Sequence, residues 1–335
     1  MHTGRRYSPI EFFKWTLRDT LWLLLIATVP TLLYVAGWRF IAIPWQPIAI
    51  LGTALAFIVG FKNNASYGRL WEARQIYGAV INNSRSFAYT LRDALGPEHM
   101  NKVKLIYNRH YAWLTALRFQ LREPRSWENM QKHSNKDFLK GRYIVSEWNT
   151  KLETEIRQYL SDDEYSYILS KKNKATQLIA LQSKMLDELR KSDTINNFQW
   201  KELQDIIMKL TDDQGKAERI KNFPYPRNFA SITSYLLFIF ILLMPFGLLK
   251  EYEKLGDGTF LQGYSIWLNI PMSAIITWAF HVLDTIGESS VNPFEGGAND
   301  VPVTQISRMI EIDMRDMLNE NPLPDPVLPQ NNIVL

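Results

Sequence analysis

The chain has 335 residues, with 38 lysines and arginines, 34 aspartates and glutamates, and no cysteine. The near balance of charge argues against a nucleic-acid-binding surface, and the lack of cysteine agrees, weakly, with exposure to the cytoplasm. A mean hydropathy slightly below zero is ordinary for a soluble protein, but this average conceals a division into very apolar and strongly polar segments.

Four uncharged windows are each long enough to cross a bilayer. At about 1.5 Å of rise per helical residue, each covers the roughly 30 Å of a hydrocarbon core. Tryptophan and tyrosine cluster near their ends, where amphipathic rings favour the lipid headgroups. The windows are Thr20–Trp38, Phe40–Phe61, Asn228–Leu249 and Gly258–Phe280, and the aromatic residues are Trp15, Trp22, Tyr34, Trp38, Trp45, Tyr235, Tyr264 and Trp267. The sequence therefore predicts four transmembrane helices and no cleavable signal peptide.

Basic residues near the span ends predict the orientation. Few of them occur in the two short loops between spans one and two and between spans three and four. They concentrate before the first span and around the middle region, at Arg5, Arg6, Lys14, Arg18, Lys62, Arg69, Arg74, Arg219, Lys221 and Arg227. Because cytoplasmic loops carry an excess of lysine and arginine, both termini and the middle region are predicted to be cytoplasmic.

The middle region is too long and too polar to be a simple loop. Apolar residues recur there at helical spacing, and no strand pattern competes with them. The predicted helical windows are Ser66–Ala94, Asn101–Leu121, Phe138–Leu160, Lys174–Arg190 and Gln199–Leu210. We therefore expect an all-α membrane protein with these parts: an N-terminal cytosolic segment at 1–19, spans one and two at 20–61, a cytosolic helical domain at 62–227, spans three and four at 228–285, a C-terminal helical region at 286–320, and a proline-rich tail at 321–335.

The second span segregates bulky residues from small ones. Thr53, Phe57 and Phe61 stand at i, i+4 and i+8, which places them on one stripe of a helix, with glycines and alanines on neighbouring faces. Several copies of such a helix around an axis would form stacked phenylalanine rings, a hydrophobic constriction. Packing of the two rings against lipid is the alternative that spacing leaves open.

The string KNNASYGRLWEARQIYGAVINNSRS that follows this span resembles the bestrophin signature, in which a Gly-Phe end of the second span leads into a helix carrying Asn, Tyr, Arg, Glu and Arg at fixed spacing. A second string, NPFEGGANDVP at Asn292–Pro302, is similar to the family's Asn-Pro-Phe motif after the fourth span. Two motifs in the right order, with four spans and a large insert, extend the resemblance over nearly the whole chain.

The resemblance implies a homopentamer in a bacterial inner membrane, with one axial pore for ions. By position, the neck of that pore falls on Thr53, Phe57 and Phe61. A second, cytosolic constriction in the family lies before the third span, where Ile220 is the matching candidate and Lys221 the alternative. Lys62, beside the neck, stands where the family usually has arginine and would attract anions if it faces the pore.

Calcium binding in animal members uses a run of acidic residues after Asn-Pro-Phe, whereas this chain keeps only Glu295 and Asp300. Since calcium prefers six to eight oxygen ligands, we expect a weak site at best, no calcium gating and no cofactor. His281, Asp284 and Glu288 have helical spacing that could suit a metal, but a polar patch at the membrane surface or a subunit contact is the simpler interpretation, and no metal site is predicted.

The predicted function is that of a pentameric channel for monovalent anions such as chloride, because phenylalanine ring edges carry positive charge. A monovalent cation channel of the same architecture and a non-conducting membrane scaffold are the alternatives. The chain has no phosphate-binding glycine loop, no HExxH and no GxSxG, so an enzyme is not expected. The proline-rich tail is expected to extend along a neighbouring subunit or to stay mobile.

Overall fold

In the computed structural model, residues 1–130, 135, 138–258 and 260–335 are described, and they contain α-helices and short 3₁₀ turns but no β-strand. This agrees with the predicted all-α class. The helices are α1 (Pro9–Val35), α2 (Trp45–Leu95), α3 (Met100–Arg122), α4 (Ser146–Asn149), α5 (Leu152–Ile156), α6 (Asp162–Leu169), α7 (Lys174–Lys191), α8 (Asn197–Asn222), α9 (Arg227–Leu255), α10 (Asn269–Ser290) and α11 (Val303–Asp316).

Four helices of the described chain, α1, α2, α9 and α10, contain stretches long and apolar enough to cross a membrane, which confirms the predicted spans. Three of their predicted starts are wrong. Helix α1 begins at Pro9 rather than Thr20, and Ser8 caps it. Helix α2 begins at Trp45 rather than Phe40, because Pro44 occupies its N-cap and a proline restrains the residue before it to extended backbone. Helix α10 begins at Asn269 rather than Gly258, after a 3₁₀ turn at Ser265–Leu268.

Helix α2 connects the membrane part to the cytosolic part without interruption. It has 51 residues, so at about 1.5 Å per residue it is roughly 75 Å long. The end of the second apolar window, at Phe61, is therefore a change of environment and not a helix boundary. The charged signature string continues the same helix into the cytosolic bundle.

The cytosolic bundle surrounds one apolar core to which α2, α3, α7, α8 and α11 all contribute. Buried side chains recur at helical spacing on α3, where Trp113 is fully buried and its Nε1 donates to Gln214 Oε1 at 2.8 Å.

The predicted helix at Phe138–Leu160 is wrong. The chain there forms the short helices α4 and α5, because Glu147 and Glu155 turn inward to pair with Arg118 of α3.

Polar side chains cap the N-termini of several helices. Ser8 with Glu11, Ser161 with Glu164, and Asn196 with Gln199 form capping boxes at α1, α6 and α8. In each, the first side chain accepts from a backbone N–H that has no helical partner, and the second returns to the N-cap N–H. The windows predicted from apolar spacing at Lys174 and Gln199 begin within two residues of α7 and α8, whose starts are capped by Asn173 and Asn196.

A buried amide joins three spans inside the membrane part. Asn269 Nδ2 donates to Thr31 Oγ1 at 2.9 Å and to the Pro245 carbonyl at 3.1 Å. Its Oδ1 accepts from Ser273 Oγ at 2.9 Å. Because lipid offers no hydrogen-bond partner, this network holds α1, α9 and α10 together where a proline interrupts α9.

The proline-rich tail, Asn321–Leu335, returns to its own chain, so neither expectation for it holds at its end. The Leu335 carbonyl accepts from Gln305 N at 2.8 Å. Ile333 and Leu335 are buried against Tyr143 and Val145. The apolar last residues therefore complete a small core on the same subunit.

The core histidine of the bundle predicts an acid-dependent loss of stability. His110 is fully buried, with Nδ1 3.3 Å from Gln182 Oε1 and Nε2 2.9 Å from Ser84 Oγ. Burial lowers its pKa to about 4. Between about pH 6.5 and 4 the unfolded chain therefore binds a proton that the folded chain excludes, so stability falls as pH falls, by up to about 3 kcal/mol.

We expect the thermal unfolding midpoint of the protein in detergent to fall less steeply over this pH range in His110→Gln than in the parent. His99→Gln is the matched control, since that ring lies partly exposed at the start of α3, and it should keep the parental slope. Equal slopes for His110→Gln and the parent would contradict the prediction.

Candidate functional site

The predicted neck residues share one face of α2, and that face points away from the rest of the chain. In the single chain the side chains of Phe57 and Phe61 are 66% and 70% exposed, and Thr53 is exposed as well. On the opposite face Leu55 and Val59 are buried. The structure therefore brings the three predicted residues together on a surface that the chain itself leaves uncovered.

A groove runs beside this stripe between α2 and α9. It encloses about 820 Å³ and is walled mainly by apolar groups, among them Phe240, Met244 and Phe280. The two helices approach closely because of two glycines. A Cβ on Gly52 would lie 2.9 Å from the Phe240 ring, and one on Gly247 would lie 2.3 Å from Ile48 Cδ1. Of the small residues predicted on α2, Gly52 thus serves a contact within the subunit, whereas Ala54, Ala56 and Gly60 are exposed.

Lys62 lies on the buried face of α2, and this corrects its prediction as an ion-attracting residue. Its side chain is 4% exposed, and its Nζ lies 2.6 Å from Asp284 Oδ1 and 3.4 Å from Glu288 Oε1 on α10. The helical period explains the placement, since residue 62 follows Phe61 by about 100° around the axis. The charge of Lys62 is neutralised within the subunit.

The same junction holds α2 and α10 close together. Asn63 Nδ2 donates to the Leu283 carbonyl at 3.0 Å. Gly287 permits this contact, because a Cβ there would lie 2.0 Å from Asn63 Oδ1. We call the set Lys62, Asn63, Asp284 and Gly287 the α2–α10 junction. It restrains the rotation of α2 at the residue next to Phe61.

Neither candidate for the cytosolic constriction is exposed. Ile220 is 4% exposed in the bundle core, and its carbonyl accepts from Arg69 Nη2 at 2.8 Å. Lys221 is also buried and is paired with Glu128. The prediction failed because Ile220 was chosen from its distance to the third span, whereas the apolar period of α8 turns it inward.

A different side chain of α8 is exposed. Phe198, in the first turn, is 87% exposed. Arg69 contacts residue 220, and Asn83 Nδ2 donates to Asp213 Oδ2 at 2.7 Å, so α8 runs antiparallel to α2. Phe198 therefore lies at the end of α8 that is farthest from the membrane. The sequence signal that could have identified it is that Phe198 lies off the face of α8 on which Leu203, Ile206 and Leu210 are buried.

The three residues with metal-like spacing on α10 do not act together. Asp284 and Glu288 both face Lys62, whereas His281 Nε2 lies 3.3 Å from Asp19 Oδ2 on α1. No cluster of three histidines, aspartates or glutamates with metal-binding geometry occurs in the described part of the chain. The polar residues of α10 contact neighbouring helices instead.

An arginine from α3 pairs with the acidic loop after α10, where the resemblance would place calcium ligands. Asp300 Oδ2 accepts from the backbone N–H groups of Gly296 and Gly297 at 2.8 and 2.9 Å. The buried Arg122 donates to the same oxygen at 3.3 Å and to the Val301 carbonyl at 3.2 Å. An oxygen engaged by three donors has little capacity left for a metal, and an arginine beside it repels one, so these residues do not fit calcium.

Burial raises the pKa of Asp300, and this effect exceeds the opposing effects of Arg122 and the backbone donors. Burial, with Asp300 nearby, also raises the pKa of Glu295 well above its usual value. Sequence reasoning identified both carboxyl groups but missed Arg122, which comes from α3 and carries no local signal of its role.

The family model described as Bacterial/Fungal Bestrophin protein matches residues 13–316. The voltage-dependent anion channel-forming protein YneE of Escherichia coli K12 is 24% identical over 289 residues, 86% of this chain and 82% of that protein. A similarly named protein of Synechocystis, sll1024, is 22% identical over 293 residues, 86% of this chain and 82% of that protein.

The fold also matches a crystal structure. A bacterial bestrophin homologue from Klebsiella pneumoniae superposes with a TM-score of 0.76 at 22% sequence identity, and the match covers 91% of this chain and 99% of that one. At this level of identity the match shows the shared fold.

The α2–α10 junction predicts that Lys62→Met destabilises the protein strongly. Removing one partner leaves Asp284 buried without a cation, which costs about 3–5 kcal/mol in buried pairs. We expect a clear fall of the thermal unfolding midpoint in detergent and a partial recovery in Lys62→Met/Asp284→Leu. The matched control is Lys201→Met, because Lys201 is 64% exposed and pairs with Asp205 at the surface; it should change the midpoint little. A Lys62→Met midpoint equal to that of the control would show that the pair does not hold the helices.

Proposed function

The chain belongs to the bacterial and fungal bestrophin family, and from that premise we propose that it forms a channel for monovalent anions such as chloride. Two lines of observation support the proposal. The curated relatives are named anion channel-forming proteins over more than four fifths of their length, and the described residues contain four helices able to cross a membrane. The exposed stripe of α2 is the observation on this chain that carries the proposal.

We propose five copies around one axis, as the family resemblance implies, with Thr53, Phe57 and Phe61 forming successive rings of a neck. The support is that α2 buries its other face against its own subunit, so the stripe is available to line an axis. The apolar groove beside it gives room for the neighbouring copy. The rings are uncharged, so they would restrict ions by the cost of dehydration.

Anion preference in this arrangement would come from the phenylalanine ring edges, which carry partial positive charge. Lys62 does not contribute, because Asp284 neutralises it away from the stripe. The proposed selectivity is therefore that of a weak, dipolar site, which favours large and easily dehydrated anions over strongly hydrated ones.

For the second, cytosolic constriction we propose Phe198. It is the most exposed large apolar side chain between the second and third spans in the described residues. A capping box formed by Asn196 and Gln199 holds the helix start on which it stands. A ring at this end of α8 would narrow the pathway far from the neck.

The excess of basic residues before α1 and along the cytosolic bundle supports an orientation with both termini in the cytoplasm of a bacterial inner membrane. In that orientation α3 to α8 and α11 form the cytosolic entrance of the channel.

The function is tested by recording the purified protein in planar bilayers under a potassium chloride gradient. We expect a current whose reversal potential lies close to the chloride equilibrium potential. Reversal close to the potassium equilibrium potential would instead show a cation channel, and the absence of current with correctly folded protein would favour a non-conducting scaffold.

The neck assignment predicts that Phe57→Ala and Phe61→Ala each raise single-channel conductance, by about twofold or more, because a narrow apolar ring is removed from the pathway. The matched control is Phe238→Ala, since Phe238 is 65% exposed on α9 and lies off the stripe; its conductance should stay at the parental value. Phe198→Ala belongs in the same series and is expected to change permeability ratios among anions. Parental conductance in both neck variants would refute the assignment.

A further inference from the structure

A cavity of about 220 Å³, partly open to the surface, lies between the start of α1, the end of α10 and the loop that follows α10. Its lining includes five aromatic side chains and one deeply buried carboxyl group: Tyr7, Phe12, Trp15, Phe138, Tyr143 and Glu295. It is separate from the exposed stripe of α2, and the channel proposal makes no use of it. We call it the α1–α10 cavity.

The aromatic side chains meet at angles that form walls around the space. Tyr7 and Phe138 lie edge to face with centroids 6.1 Å apart, and Phe12 and Trp15 lie tilted at 5.9 Å. The two tyrosine hydroxyls are already bonded, Tyr7 to Asn299 Oδ1 at 3.0 Å and Tyr143 to the Gly296 carbonyl at 3.1 Å. The rings therefore present π faces and edges to the cavity, because both hydroxyl hydrogens are already used.

Glu295 has one carboxylate oxygen without a partner. Its Oε2 accepts from Asn129 N at 2.7 Å and from Asn292 Nδ2 at 3.3 Å. Its Oε1 is fully buried and has no hydrogen-bond partner among the described residues. A buried oxygen without a hydrogen bond costs free energy, so a ligand that donates a hydrogen bond to Oε1 would be stabilised there.

The charged groups around Glu295 are already paired with each other. Glu11 at the rim pairs with Arg142 at 3.5 Å, and Arg142 also lies over Phe138 at 4.2 Å. Asp300 pairs with Arg122, and Glu128 with Lys221. Among the described residues of this region, Glu295 has no cation paired with it.

We propose that the α1–α10 cavity binds a small organic ammonium group, with Glu295 Oε1 as its acceptor and the aromatic rings as its walls. Cations are attracted to aromatic faces, and aromatic boxes with a carboxylate suit ammonium ions. A divalent metal does not fit, because it requires several oxygen ligands and only one is free here.

Two sources share this chemistry. Trp15, which the sequence places near the end of the first span, lines the cavity, so the ammonium of an ethanolamine lipid headgroup is one source. A soluble amine is the other. Both sources carry a cation small enough for the cavity. The experiment below distinguishes the lipid headgroup from the soluble amine.

The test is calorimetric titration of the protein in detergent with ethanolamine hydrochloride, whose ammonium has N–H donors for Glu295 Oε1, using potassium chloride as the blank. We expect saturable binding above the blank. Glu295→Gln keeps an acceptor for Asn129 and removes the charge, so its affinity should fall about tenfold or more. Trp15→Leu removes one aromatic wall and should also weaken binding, whereas Trp22→Leu, on the same helix and 58% exposed, is the matched control and should not.

Repeating the titration in nanodiscs identifies whether the bound ammonium group comes from a lipid headgroup or from a soluble amine. Ethanolamine binding that is weaker in phosphatidylethanolamine discs than in phosphatidylglycerol discs indicates that a headgroup occupies the cavity, and equal binding in both indicates a soluble amine. No saturable heat above the blank in detergent or in either disc overturns the proposal, and so does an unchanged affinity in folded Glu295→Gln. Because the readout is binding and not current, failure of the channel proposal leaves this test valid.

Discussion

The buried contact of Lys62 with Asp284 determines which face of α2 is exposed on the surface of the subunit. A helix of 51 residues that passes from lipid to cytosol has no local feature that restrains its rotation. A charge pair 2.6 Å apart, with both side chains less than a tenth exposed, restrains it strongly, because either charge alone would be costly in that place. Given this contact, Thr53, Phe57 and Phe61 face away from α10, and Leu55 and Val59 between them are buried against the same subunit.

Buried charge pairs also join distant segments within the cytosolic bundle. Arg118 and Arg122 of α3 are buried, and each pairs with acidic groups that the chain supplies from distant segments. Arg122 joins the loop after α10 to the centre of the bundle through Asp300. Membrane and cytosolic parts are therefore joined by internal charge pairs at two places, and the loop after α10 needs no metal to be held.

Some parts of this arrangement could be predicted from the sequence and others could not. Hydropathy predicts four spans because each must provide some 20 apolar residues to lipid, and the capping residues at Asn173 and Asn196 mark where α7 and α8 begin. The helix predicted at Phe138–Leu160 was wrong because its apolar period is shared by short helices whose acidic residues turn inward. Ile220 was wrong for a related reason, since distance along the chain from a span does not determine which face of a helix is exposed.

The sequence by itself determined the fold class, the number of spans and the common stripe of Thr53, Phe57 and Phe61, because hydropathy and the helical period are local properties. Only the tertiary structure decided that this stripe is uncovered, that Lys62 points away from it, and that Arg122 accompanies Asp300. Each of these depends on which side chain from a distant segment comes within about 3 Å of a buried charge. One-dimensional spacing does not encode that choice, because the partners are separated by more than a hundred residues.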